Sequence, residues 1–241
     1  MPGAVTLLPL DHYTKVNENT AFFSVENNVV YTNAVNSAGQ RVPEKRTSVS
    51  GGTNIQMGLY QGLHMLATEE TTKATIEGTV VKRVPSLILL SDGAPTYSST
   101  DSNWYSPSNN SNHGNGSTSY YGNGMKAMMT GAYMKASVDR NYGVAGTPSK
   151  TSIYTIGMGL ANLTGDDRNL ASITLNPAEN WNNNSNTMAN SIRRAWNSYS
   201  GGGSPSIQIN GGNSNYSLGH PKENDVTSIS DYVDAYYSAD D

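Results

Sequence analysis

The chain has 241 residues, a formal net charge of −4 and only 14% charged residues. It contains no cysteine and no Lys/Arg cluster, which excludes disulfides, thiol catalysis and Cys-ligated zinc and leaves no electrostatic footprint for nucleic acid or an anionic membrane. No apolar run approaches the roughly 20 residues that span a bilayer, and residues 1–10 lack the basic start of a signal peptide.

The length suits one larger α/β domain with a sizeable core. Solubility rests on Asn, Ser, Gly, Thr and Tyr, because charged residues fall well below the roughly 25% usual for soluble proteins. Such an acidic, neutral-polar surface suits polar ligands or cations.

In chain order, residues 4–10 (AVTLLPL) read as a short strand, confined to an edge by Pro9. Residues 20–35 hold two β-prone runs around Glu26-Asn27-Asn28, the pattern of a hairpin with an Asn-rich turn. A polar connection then leads to Ser50-Gly51-Gly52-Thr53, where the glycines permit a tight turn. Ile55, Leu59, Leu63 and Leu66 recur at helical spacing, so an amphipathic helix capped by Thr53 or Asn54 follows. Gly58 and Gly62, four apart, mark close packing on one side of it. Residues 71–82 read as a polar segment leading to the next strand.

Residues 87–96 (LILLSDGAPT) organise the rest. Four consecutive aliphatics predict a central parallel strand buried on both faces, with Asp92 emerging at its carboxyl end, the edge where open α/β sheets bind ligands. Residues 97–123 are rich in Asn, Ser and Gly and nearly free of aliphatics, and read as a long surface insertion that cannot order itself. Met125, Met128, Met129, Ala132, Tyr133 and Ala136 form a helical stripe best explained as core filling.

A strand at 152–160, a helix at 166–175 with Pro177 beyond its end, and a helix at 187–199 follow. Residues 200–225 are again polar, with a short strand at 206–209, and a last strand lies around 233–237. Alternating strands and helices predict a doubly wound, mostly parallel α/β sheet.

Several alternatives fall away. The histidines at 12, 64, 113 and 220 form no i, i+4 zinc pair, and no G-x-S-x-G elbow, Walker loop or strand-borne G-x-G-x-x-G is present. No nucleophile–base pair can be assembled, so the chain does not read as an enzyme. Thr53 alone would be a helix cap, and Asp92 alone could cap the turn after its strand.

Taken together, GGTNIQMGLYQGL (51–63), LILLSDGAPT (87–96), SIYTIGMGL (152–160) and ASITLNP (171–177) resemble the von Willebrand factor type A domain. The resemblance implies a Rossmann-like sheet flanked by helices, laid over residues 1–241 as a single incomplete domain with insertions at about 97–123 and 200–225. It also implies a metal-ion-dependent adhesion site for Mg²⁺, or Mn²⁺ or Ca²⁺, at the carboxyl edge. By that match Thr53 and Asp92 are the metal ligands, and Gly51, Gly52, Ser91 and Gly93 shape the loops.

The family's first-strand Asp-x-Ser-x-Ser motif is nowhere in this sequence. Either it was lost or the chain starts after the first strand; the second is the expectation, with cation binding weak or absent in the chain alone. The implied role is an extracellular or cell-surface adhesion module, bacterial in character, whose protein or matrix ligand offers an acidic side chain. A structural or assembly scaffold with a degenerate metal site is the alternative, and an intracellular ATPase-associated subunit a third reading.

Overall fold

A computed structural model describes residues 14–16, 23–27, 29–42, 52–67, 73–82, 84–99, 112–142, 150–200, 206–208, 215–217 and 228–239. The strand expected at 4–10 lies outside them.

The first described part is built from short antiparallel pairs. Strand β1 (Thr14–Lys15) pairs with β4 (Ala34–Val35), and β2 (Phe23–Glu26) with β3 (Val29–Thr32). The second pair is the expected hairpin, and Asn27 turns it at φ 51°, a conformation Asn tolerates better than most residues.

Helix α1 (Ile55–Leu66) follows, its first turn capped by the Asn54 side chain, which accepts from the Met57 N–H at 3.1 Å. Residues 73–82 correct the sequence reading. In place of a polar connection they form a second hairpin, β5 (Lys73–Ile76) with β6 (Thr79–Lys82). Positive φ at both Glu77 (50°) and Gly78 (77°) gives the tight turn that matches strand twist.

Strand β7 (Ser86–Ser91) carries the aliphatic run. After it, β8 (Tyr97–Ser99) pairs with β9 (Asn112–Gly114), so the two ends of the expected unstructured insertion are ordered by each other. Ser98 and Ser99 are fully buried there. Helix α2 (Tyr121–Tyr142) starts inside the expected insertion, and its Met125, Met128 and Met129 are fully buried, as the stripe requires.

Strand β10 (Ser152–Met158) follows, then α3 (Gly165–Leu175), the short α4 (Pro177–Asn180) and α5 (Thr187–Ser200). Pro177 begins α4, where its missing N–H costs nothing. Strands β11 (Ser206–Gln208) and β12 (Asn215–Ser217) form a hairpin.

The last strand, β13 (Ala235–Ala239), starts two residues later than its sequence pattern suggests. Asp234 explains the offset: its carboxylate accepts from the Ile153 N–H at 2.8 Å and pairs with Lys135 at 2.6 Å, so a side chain occupies the place of the first ladder bond.

Strands β13, β10 and β7 form one parallel sheet in that order. Both crossovers, β7 to β10 and β10 to β13, step in the same direction, and right-handed connections then place their helices on the same face. Helix α1 lies on that face too. A Cβ at Gly62 would overlap Leu87 Cδ1, the close approach expected there, whereas one at Gly58 would lie 4.0 Å from Leu89 Cδ1, an ordinary contact that does not require glycine.

The core sits between this face and the helices, with Leu63, Met128, Ile153, Leu170, Ile173 and Ile192 fully buried. Tyr232 closes one end. Its ring covers Gly131, its hydroxyl donates to the Thr174 carbonyl, and burial raises its pKa above the ordinary tyrosine value.

The opposite face corrects the expectation of a strand buried on both sides. Among the described residues β7 is an outer strand paired only with β10, and Ile88 is 61% and Leu90 54% exposed. Consecutive aliphatics on a strand point alternately to two faces, and among the described residues only one of these faces carries helices.

Candidate functional site

The candidate site is built where β7 ends. Ser91 is buried, and its hydroxyl donates to the Gly93 carbonyl at 3.0 Å and accepts from the Gly93 N–H at 3.4 Å. A serine therefore ties the turn. The Asp92 carboxylate, exposed at the apex, has no protein hydrogen bond or ion pair among the described residues.

Thr53 reaches the same place from the other side. Its carbonyl accepts from the N–H groups of Thr96 (2.9 Å) and Tyr97 (3.0 Å), while its own N–H donates to the Thr96 hydroxyl at 2.8 Å. Three hydrogen bonds lock the start of α1 onto the strand that leaves the Asp92 turn. Since Asn54 caps α1, the Thr53 hydroxyl is not used for capping. A Cβ built on Gly93 would lie 3.5 Å from that hydroxyl, so Thr53 faces the Asp92-Gly93 turn directly.

Gly52 holds φ 103°, and a Cβ there would overlap the Tyr97 ring and come within 2.7 Å of the Gly116 Cα. Glycine is required by both conformation and space. Gly51 lies outside the described residues. Sequence reasoning thus finds Thr53, Asp92, Gly52, Ser91 and Gly93 at one edge, but with different tasks. Thr53 and Asp92 present unused oxygens; Ser91 and Gly52 hold the loops.

Behind the loops lies a polar layer that the sequence reading missed. Gln56, buried on α1, accepts from the Ser99 N–H at 2.7 Å and donates to Thr130 on α2 at 3.1 Å. Ser98 donates to Asn123 at 2.8 Å, and the buried Lys126 ammonium donates to the Ser99 carbonyl. Buried amides and ammonium groups need such partners. The layer clamps β8 between α1 and α2 and so fixes the frame that carries the Asp92 turn. Its signal was present: Gln56 and Lys126 interrupt otherwise apolar helical faces.

His64 takes no part in these contacts. His64 is exposed and packs on Tyr60 with ring centroids 5.6 Å apart, His113 lies on β9, and His12 and His220 fall outside. No group of three or more His, Cys, Asp or Glu gathers to hold a metal among the described residues.

No family model matches the chain, and neither a characterised protein nor a solved structure does. The class that stands is a mixed α/β protein with a three-stranded parallel sheet and flanking helices, compatible with a Rossmann-like arrangement. Among the described residues no helix is long and apolar enough to cross a membrane.

Proposed function

We propose that the chain is an extracellular or cell-surface binding module of the von Willebrand factor type A kind, in which Thr53 and Asp92 contribute to a divalent-cation site for Mg²⁺, or for Mn²⁺ or Ca²⁺. One observation carries the reading: a hydroxyl and a carboxylate, neither used by the fold, are brought together at the carboxyl edge of a parallel sheet by hydrogen bonds between their own loops.

The donor chemistry fits a hard cation, which takes oxygen ligands and commonly keeps several waters with one or two carboxylates. Thr53 and Asp92 form part of such a shell. The remaining positions belong to water, to further oxygen donors such as an Asp-x-Ser-x-Ser strand, and to the ligand. A cation held by few carboxylates stays electrophilic, so an acidic side chain of a protein or matrix ligand can complete it. The role is recognition, without catalysis.

A second reading, a scaffold or assembly domain with a degenerate site, is favoured by the lack of an Asp-x-Ser-x-Ser motif in this sequence. Thermal unfolding with and without millimolar Mg²⁺ separates the two. At a concentration equal to the dissociation constant, binding stabilises by about 0.4 kcal/mol, and this gain is expected to vanish in Asp92→Ala and Thr53→Ala. No Mg²⁺-dependent shift, or one that survives Asp92→Ala, sinks the cation site and leaves the scaffold.

A further inference from the structure

We propose that Asn115 is a self-modification site, at which the folded chain converts an asparagine amide into an aspartyl or isoaspartyl residue without an enzyme. The reaction is an intramolecular acyl transfer, in which the chain itself holds attacker and target together. The Gly116 backbone nitrogen attacks Asn115 Cγ and gives up its proton to solvent, the Cγ–Nδ2 bond breaks, and Nδ2 takes a proton and leaves as ammonia. A cyclic succinimide remains. Water then opens it at Cγ, giving aspartate, or at the main-chain carbonyl, giving an isoaspartyl linkage that runs the chain through Cγ.

Asparagine followed by glycine is the pair in which this attack is least hindered, because glycine has no Cβ to crowd its nitrogen. The sequence has three such pairs, at 115–116, 123–124 and 210–211, and the last lies outside the described residues. The structure separates the other two.

Asn115 is exposed between β9 and α2, and Gly116 turns the chain at φ 81°. The Asn115 side chain folds back over the Gly116 peptide as an Asx turn. Its Oδ1 accepts from the N–H groups of Ser117 (3.0 Å) and Thr118 (2.9 Å) and from the Ser117 hydroxyl (3.2 Å), while Nδ2 donates to the Thr118 hydroxyl at 2.9 Å. These donors face the oxygen on which negative charge develops as Gly116 attacks, the arrangement that stabilises the tetrahedral intermediate of acyl transfer. Exposure supplies the water and an exit for ammonia.

Asn123 has the same neighbour and the opposite setting. It is 1% exposed in the first turn of α2, its side-chain oxygen accepts from Ser98 at 2.8 Å, and a Cβ at Gly124 would overlap Leu170 and Thr174. A helical backbone cannot swing the Gly124 nitrogen onto Asn123 Cγ without breaking that turn, and burial keeps out the water that opens the ring. At position 115 the product also has a neighbour of interest: a Cβ on Gly52 would come within 2.7 Å of the Gly116 Cα, so the new carboxylate arises beside the loop that carries Thr53.

Peptide mapping by mass spectrometry tests this on the whole chain, held folded at mildly alkaline pH and sampled over time beside a sample unfolded in guanidinium. In the folded chain Asn115 is expected to gain the mass difference between NH2 and OH, in both linkages, about tenfold or more faster than Asn123. In guanidinium the two are expected to convert at similar rates, since sequence alone then decides. Ser117→Ala, which removes the hydroxyl donor, is expected to slow Asn115 in the folded chain and leave its unfolded rate unchanged.

An Asn115 that keeps its amide in the folded chain overturns the proposal, because the loop then protects it. So do equal rates at Asn115 and Asn123 in the folded chain, and so does a difference that persists in guanidinium, which would trace it to sequence. A folded Ser117→Ala chain that converts as fast as the wild type overturns the part given to that donor.

Discussion

The two faces of the central sheet have nearly the same composition and opposite surroundings. Leu87, Leu89, Ile153 and Tyr236 point to a face against which α1 and α3 pack, while Ile88, Leu90, Tyr154, Ile156 and Tyr237 point to one that no described helix covers. Adjacent residues of one strand thus differ in energetic value. What sets the value is the direction of the crossovers, a property of topology that hydrophobicity alone does not carry.

The largest test of this contrast is a pair of truncations. Ile153→Ala removes a fully buried side chain and is expected to cost about 3 kcal/mol, whereas Ile156→Ala, three residues on, is expected to cost less than about 1 kcal/mol. Chemical denaturation of both variants gives the difference. Equal losses would show that both faces are packed.

Somewhat smaller is the effect of enlarging the helix contact. Gly62→Val pushes a side chain into Leu87 on the covered face and is expected to destabilise by about 1–3 kcal/mol in the same assay. Were it neutral, α1 would not be seated on β7.

The covered side also has a pH signature. Burial raises the pKa of Tyr232 in the folded state, so the folded protein holds this proton more tightly than the unfolded chain. Its contribution to stability is complete below the ordinary tyrosine value of about 10 and is lost as the pH rises above it. Thermal midpoints are expected to fall more steeply above that pH in the wild type than in Tyr232→Phe. Parallel curves would contradict this. Smallest of all, Ile88→Thr on the face that no described helix covers is expected to change stability by no more than about 0.5 kcal/mol, and a larger loss would mean that something covers it.

Much of the fold was legible because its signals are local. The helical stripe of Ile55, Leu59 and Leu63, the Met stripe of α2 and the aliphatic run of β7 each follow from periodicity within one element. The β5–β6 hairpin escaped because Glu77 is an unusual residue for a turn that needs positive φ, and only Gly78 marked it. The burial of β7 was misjudged because an unbroken aliphatic run reads the same whether one face is packed or both. The shared sheet edge of Thr53 and Asp92 was legible through their motif context. Thr96, Gln56 and Lys126 were not, because their roles depend on contacts 27 to 74 residues away in sequence.

Thr53 and Asp92, left unused by the fold, are proposed to contribute oxygens to one divalent cation. Titrating Mn²⁺ into the protein and following free Mn²⁺ by electron paramagnetic resonance tests it most directly. The expected result is weak, Mg²⁺-competed loss of the free-ion signal that falls in Thr53→Ala and disappears in Asp92→Ala. A wild type that leaves the signal unchanged, or binding that Asp92→Ala leaves intact, would contradict the claim.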